Sequence, residues 1–205
     1  MPHDNLLEIV VGHRELQWGA FWRILEWLCT PCESHGLGTA FIHSLQSLAF
    51  GRSFPEFMLK REFKITPIAG SRDTWPDLAC GIPDFQNPTH IIVMEDVDHR
   101  YPGNTLKLKR LRTHLRSATH AFPNAVVRLV VVTDGPGGSA LDPVRASLGA
   151  EVSQQPSKHG WSLLPIAVTG EWIAQKSSPH FPERAPGVTA FLRDYVSWAR
   201  QIGVV

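Results

Sequence analysis

Long apolar runs are missing from this sequence. No stretch of about eighteen consecutive apolar residues occurs, which excludes a hydrophobic membrane-spanning helix. Cysteine is scarce: Cys29, Cys32 and Cys80 are the complete set. So few, and an odd number, exclude a disulfide framework and make a reducing, cytoplasmic setting the expectation. An excess of charge of one sign is also lacking, with 20 Lys and Arg against 19 Asp and Glu and a net charge of +1. The molecule as a whole is not a polycation, so any affinity for nucleic acid must come from a local patch. Gly135-Pro136-Gly137-Gly138 lacks the Gly-Lys-Ser/Thr ending of a phosphate-binding loop and reads as a turn. The opening Met1-Pro2-His3-Asp4 has neither a basic n-region nor a long apolar core, so no signal peptide is expected.

What is present is the composition of an ordinary globular protein: 205 residues, 43% hydrophobic and 19% charged. That length suffices for one sizeable domain, and no repeat or low-complexity tract divides it. The seven tryptophans are scattered, mostly inside apolar periodic segments where core packing accounts for them. Leu16, Phe21, Trp22, Ile24, Leu25 and Leu28 predict a helix over 13–29, ended by Thr30-Pro31. A second helix is expected over 39–50, ended by Gly51. The period then changes. Strands are predicted over 59–68, 76–82 and 90–97, the last a nearly continuous apolar run of the kind found in a strand covered on both faces. After the turn at Pro102-Gly103 come a basic amphipathic helix over 104–120, a strand over 125–133, a short helix over 140–149, a strand from Trp161 to Val168, a loop over 177–187 and a helix over 188–202. This order predicts an α/β fold with a central mixed β-sheet flanked by helices on both sides.

Two segments could carry chemistry, Trp75-Pro76-Asp77 and Met94-Glu95-Asp96-Val97. Strand alternation puts Glu95 and Val97 on one face and Met94 and Asp96 on the other. A carboxylate near the end of an apolar strand is costly to bury alone, and a metal ion or cationic partner offsets that cost. With Asp77 at matching height on a neighbouring strand, the two carboxylates would hold one Mg²⁺. Spacing alone favours Asp77 as a turn residue after proline and Glu95 as a solvated strand-end acid.

Pro76-Asp77, some seventeen residues, and then an apolar strand ending in Glu95 resemble the PD-(D/E)XK nuclease superfamily. The sequence looks most similar to a branch that has a first helix running into a His-Gly-x-Gly segment. The corresponding residues here are Trp27-Leu28-Cys29-Thr30-Pro31, then Ser34-His35-Gly36-Leu37-Gly38 and Phe41. Lys107-Leu108-Lys109-Arg110-Leu111, residues 125–138, Trp161 to Val168 and Phe191 to Tyr195 follow in the same order as later elements of that branch. The resemblance spans nearly the whole chain and implies a single restriction-endonuclease-like domain over 1–205. It also implies a Mg²⁺- or Mn²⁺-dependent endonuclease acting on DNA, with restriction or phage defence as its setting and homodimers common. Asp77 and Glu95 would bind metal, helped by the Asp96 carbonyl. Glu62 matches a frequent acidic position, and Glu15 reads either as a first-helix ligand or as a first-turn glutamate favoured by the helix N-terminus. The sequence departs from the pattern at Val97, where the family's lysine stands. Lys107 on the following helix and Lys64 on the preceding strand are the candidate replacements. The same departure leaves open a catalytically inactive relative that binds nucleic acid or a protein partner.

Lys107, Lys109, Arg110, Arg112 and Arg116 place five positive charges in ten residues with no acid among them. In a nuclease they would track phosphates, and otherwise they form a solvated helix face. Cys29-Thr30-Pro31-Cys32 with His35 lies at a helix C-terminus, where the dipole does not favour a thiolate, and no second paired motif completes a zinc site. Small buried apolar residues are the expectation for these cysteines. His35 is read as fixing its loop, and His99 and Arg100 as surface loop residues.

Overall fold

A computed structural model describes residues 18–31, 36–37, 39–66, 73–98, 100–134, 141–153, 158–176 and 186–202. In chain order its elements are α1 (Trp18–Cys29), α2 (Ala40–Phe50), β1 (Met58–Arg61), β2 (Leu78–Ile82), β3 (His90–Val97), α3 (Thr105–Ala121), β4 (Val126–Thr133), α4 (Asp142–Val152), β5 (His159–Pro165), α5 (Ile166–Lys176) and α6 (Pro186–Ile202). Contacts divide the chain into two compact units. One comprises Met1–Leu45, Asp134–Pro136 and Pro165–Val205, and the other Gln46–Thr133 and Gly137–Leu164.

The second unit holds the sheet, whose five strands lie in sequence order. β1, β2 and β3 form an antiparallel meander, and β4 runs parallel to β3. A parallel neighbour needs a crossover, and α3 supplies it. β3 and β4 are apolar almost throughout because both of their faces are covered. On one face Ile91, Val93, Val97, Val127, Leu129 and Val131 pack with Leu111, Leu115 and Ala118 of α3 and Val144 and Leu148 of α4. On the other, the Ser162 hydroxyl donates to Leu48 O of α2. The sheet is therefore mixed and has helices on both faces, as the sequence predicts.

The first unit is helical. In α1 the buried residues Phe21, Trp22, Ile24, Leu25, Leu28 and Cys29 recur at three- and four-residue spacing, which is one helical face. The Phe21 ring lies 6.4 Å from that of Trp198, and the Trp27 ring 5.5 Å from that of Phe191. α5 and α6 approach closely at Gly170, where a Cβ would come within 2.8 Å of Ala199 Cβ. The buried Tyr195 hydroxyl shares a 2.6 Å hydrogen bond with Thr169.

Three expectations need correction. The strand predicted over 59–68 ends at Arg61, because Glu62 adopts φ 49° and turns the chain out of the ladder; only Ile65 pairs again, with Thr74. The strand predicted to run to Val168 stops at Pro165, and the helix over Ile166–Lys176 replaces its end and was not foreseen. The helix predicted over 140–149 extends from Asp142 to Val152. Most of the loop predicted over 177–187 lies outside the described residues, as does the start of the helix predicted over 13–29.

Val97, which stands where the resembled nucleases have lysine, is 1% exposed and packed in the apolar core shared with α3. A Val97→Lys substitution must bury an ammonium stem among Leu111, Leu115 and Val131. We expect it to destabilise the fold by about 2–4 kcal/mol in urea unfolding. A stability equal to that of the unmodified chain would show that position 97 has open access to solvent.

Candidate metal centre

The β2–β3 register brings the two motif acids together. Leu78 pairs with Met94 and Ala79 with Val93, so the next step along the ladder sets Asp77 opposite Glu95. Asp77, Glu95 and Asp96 each offer a carboxylate oxygen, and these atoms all lie within 4.8 Å of one another. Asp96 contributes its side chain here, whereas the sequence pointed to its carbonyl.

Glu95 continues the column Ile91–Val93–Val97 that faces α3, which is why its side chain is fully buried. The helix answers with a polar stripe at positions i, i+3 and i+7, namely Lys107, Arg110 and His114, beside the apolar stripe of Leu111, Leu115 and Ala118. Lys107 Nζ lies 2.6 Å from Glu95 Oε1 and 3.1 Å from Asp96 Oδ2. Arg110 Nη2 is 3.3 Å from Glu95 Oε2 and 3.7 Å from Asp77 Oδ1, and it donates to Trp75 O at 3.4 Å. The start of the helix, and so the height of Lys107, is fixed by Asn104, whose side-chain oxygen accepts from the Leu106 and Lys107 amides.

His114 is 1% exposed, with Nε2 2.8 Å from Glu95 Oε2 and Nδ1 2.5 Å from the Thr74 hydroxyl. Arg110 Nε also approaches Nε2, at 3.1 Å. One nitrogen cannot donate to Glu95 and accept from Arg110 at once. If it accepts, Glu95 Oε2 is a buried oxygen with no donor. The shorter contact, made to a carboxylate, decides for Nε2–H donating to Glu95, with the Thr74 hydroxyl donating to Nδ1.

These surroundings drive the two facing acids apart. Burial pushes the Glu95 carboxyl up, but the His114 contact and the Lys107 charge outweigh it and hold it at about 2. Asp77 moves the opposite way. Burial first, then the charges of Glu95 and Asp96, push it up to about 8. Its Oδ2 is a buried oxygen without a donor among the described residues, and its contacts with the other two acids become hydrogen bonds only when it carries a proton. Oxygen donors crowded in this way, with one of them unsatisfied, fit a hard divalent cation such as Mg²⁺ or Mn²⁺.

The other predicted residues lie elsewhere. Glu62 is beside Asp77 on the backbone, its amide donating to Asp77 O, but its left-handed conformation leaves the side chain exposed and outside the carboxylate cluster. Lys64 does not lie on β1 and pairs with Asp73 at 2.7 Å, away from Glu95. Of the basic residues on α3, Arg116 is committed to the buried Glu151, with contacts of 2.5 and 2.6 Å to its two oxygens. Lys109 and Arg112 have no ion-pair partner among the described residues and are at least partly exposed. Arg100 pairs with Asp98 at 2.7 Å. Glu15, Cys32, His35, His99 and Gly135 to Gly138 lie outside the described residues. Cys29 and Cys80 are buried, and burial pushes the Cys80 thiol up to about 12. Thr74 and His114 were missed. The signal available was the Lys107–Arg110–His114 spacing, one helical face directly after the acidic strand. Comparison with models of known protein families, with curated proteins and with solved structures found no match.

Two expectations follow from this chemistry. Without metal, folded Asp77 keeps a proton that the unfolded chain releases near its ordinary value of 3.8, so this residue lowers stability progressively as pH rises from about 4 to about 8. Asp77→Asn removes that cost while keeping a donor. It should raise the melting temperature of the metal-free protein at pH 8 by roughly 2–6 °C, with the gain vanishing near pH 4. A lower melting temperature at pH 8 would contradict the charge crowding. Arg116→Ala strands the Glu151 charge and should cost about 1–3 kcal/mol, whereas Lys109→Ala and Arg112→Ala should change stability by less than about 0.5 kcal/mol in urea titrations.

Proposed function

We propose that this chain is a metal-dependent nuclease of the PD-(D/E)XK type that hydrolyses DNA phosphodiester bonds, with its motif lysine delivered from α3 as Lys107. The observation that carries this reading is the 2.6 Å and 3.1 Å approach of Lys107 Nζ to Glu95 and Asp96, opposite Asp77. The meander that sets Asp77 against Glu95, followed by a helical crossover to a parallel strand, supports a restriction-endonuclease-like fold. Asp77, Glu95 and Asp96 would hold the cation. When bound, Mg²⁺ lowers the pKa of an attacking water and stabilises charge on the phosphate.

The chain's own groups have separate tasks. Lys107 stands where an ammonium orients water and counters the charge that builds on the phosphate. Arg110, about half exposed at the rim, offers a planar donor fork to a phosphate oxygen. Thr74 and His114 hold the Glu95 carboxylate in one orientation from beneath.

A second reading has its own support. Lys107, Arg110 and His114 already compensate Glu95 without an ion, as in a nuclease-like binding subunit that has lost catalysis. Plasmid cleavage with Mg²⁺ or Mn²⁺ separates the two. The nuclease reading expects cleavage that Asp77→Ala abolishes and that Lys107→Ala lowers by about 10²–10³-fold. Equal cleavage by the parent and Asp77→Ala would mark a contaminant and sink the site assignment. No cleavage by the folded parent, with retained DNA binding, would favour the binding subunit.

A further inference from the structure

Large apolar side chains left in solvent are few among the described residues: Met58, Trp75, Tyr101 and Leu106. Three of the four lie on the chain segments that flank the carboxylate cluster. Trp75 precedes Asp77 by two residues, and its carbonyl accepts from Arg110, the same guanidinium that touches Asp77 and Glu95. Tyr101 lies in the tight turn that joins the end of β3 to α3, where its amide donates to Asp98 O and its carbonyl accepts from the Asn104 amide. Leu106 is in the first turn of α3, next to Lys107. Their exposures are 49%, 66% and 78%.

Two of these side chains are rings with a cation over them. Lys64 Nζ stands 5.9 Å from the Trp75 ring centroid, and the Arg100 guanidinium 5.8 Å from that of Tyr101. Asp73 and Asp98 hold those cations in place. Each ring thus has a cation near one face, and that cation is itself ion-paired. Lys109 and Arg112, without ion-pair partners among the described residues, provide positive charge on the adjoining helix.

We infer that Trp75 and Tyr101 are stacking platforms for unpaired nucleobases, which makes a single-stranded nucleic acid the substrate class of this site. The inference rests on the nuclease reading for what the carboxylates do, but its binding component stands apart from catalysis. A duplex keeps its bases stacked on one another and shows a protein only edges and phosphates. An unpaired base presents its π-face, and aromatic rings beside backbone-tracking cations are the surface that retains it. Leu106 adds an aliphatic contact at the same rim.

The test is equilibrium binding of the full chain, followed by fluorescence anisotropy at fixed salt without divalent ions. The probes are a labelled oligothymidylate, an oligouridylate and a blunt DNA duplex of equal length. The parent chain should bind a single strand more tightly than the duplex. Trp75→Ala and Tyr101→Ala should each weaken single-strand binding by about tenfold and leave duplex binding unchanged, while Trp75→Phe and Tyr101→Phe retain it. The two single-stranded probes tell DNA from RNA, and tighter binding of either over duplex supports the inference. Alanine variants that bind single strands as the parent does overturn it, even where Asp77-dependent cleavage of plasmid upholds the nuclease reading. Single-strand binding that depends on both rings, with no Asp77-dependent cleavage of either plasmid or the bound single strand in Mg²⁺ or Mn²⁺, upholds the platforms and removes the nuclease reading instead.

Discussion

Burying one ionised carboxylate between Val93 and Val97 is the demand to which the sheet-bearing unit is arranged. Glu95 has no exposure to water, so its charge must be met from within the protein. Lys107, Arg110 and His114 meet it, and they do so together only because α3 crosses with one phase and one height. Asn104 fixes the height by capping the first turn, while Leu111, Leu115 and Ala118 fix the phase by packing on the same strand face. His114 is in turn held by Thr74, which depends on the isolated Ile65–Thr74 pairing beyond β1. A local electrostatic requirement therefore propagates through a cap, a helix face and a two-residue bridge.

The parts of this design that obey one period were legible in the sequence. β3 lies over His90–Val97 as predicted, because a doubly covered strand writes itself as an unbroken apolar run. α3 and α6 followed from helical spacing to within two residues at each end. The failures occur where one signal hides another. Ile166, Ala167 and Val168 extend the apolar run of β5, so a strand was read where Pro165 in fact precedes a helix. Phe63 and Ile65 keep strand-like alternation past Arg61, but a left-handed residue at Glu62 is not visible in that pattern. The acidic pair was readable from its motif. Its partners were readable only in part, since the five basic residues of α3 look alike in sequence and differ in what they face. Lys107 and Arg110 face the acids, Arg116 faces Glu151, Lys109 is exposed and Arg112 is partly exposed.

Position 97 shows how packing reinterprets a motif. From sequence, valine in place of lysine looks like the loss of a functional group. In the fold, Val97 belongs to the apolar seam between β3 and α3, while an ammonium reaches Glu95 and Asp96 from the helix. A charge required at a point in space need not come from a particular residue number. With Lys107 supplying the ammonium from the helix, the carboxylates are met while the seam around Val97 stays apolar.

Asp77 is the member of the cluster that folding alone explains least. A purely structural ion network has reason to contain Glu95, whose charge is fully compensated and whose carboxyl is held at about 2. It has no use for a second carboxylate directly opposite, pushed up to about 8, with a buried oxygen that no donor among the described residues meets and the Arg110 guanidinium 3.7 Å away. Facing acids driven in opposite directions are a pattern that folding stability alone works against, because the raised one costs free energy at neutral pH. A divalent cation would relieve that cost by replacing the proton on Asp77. The least satisfied group in the cluster is thus the one that supports reading it as a metal centre.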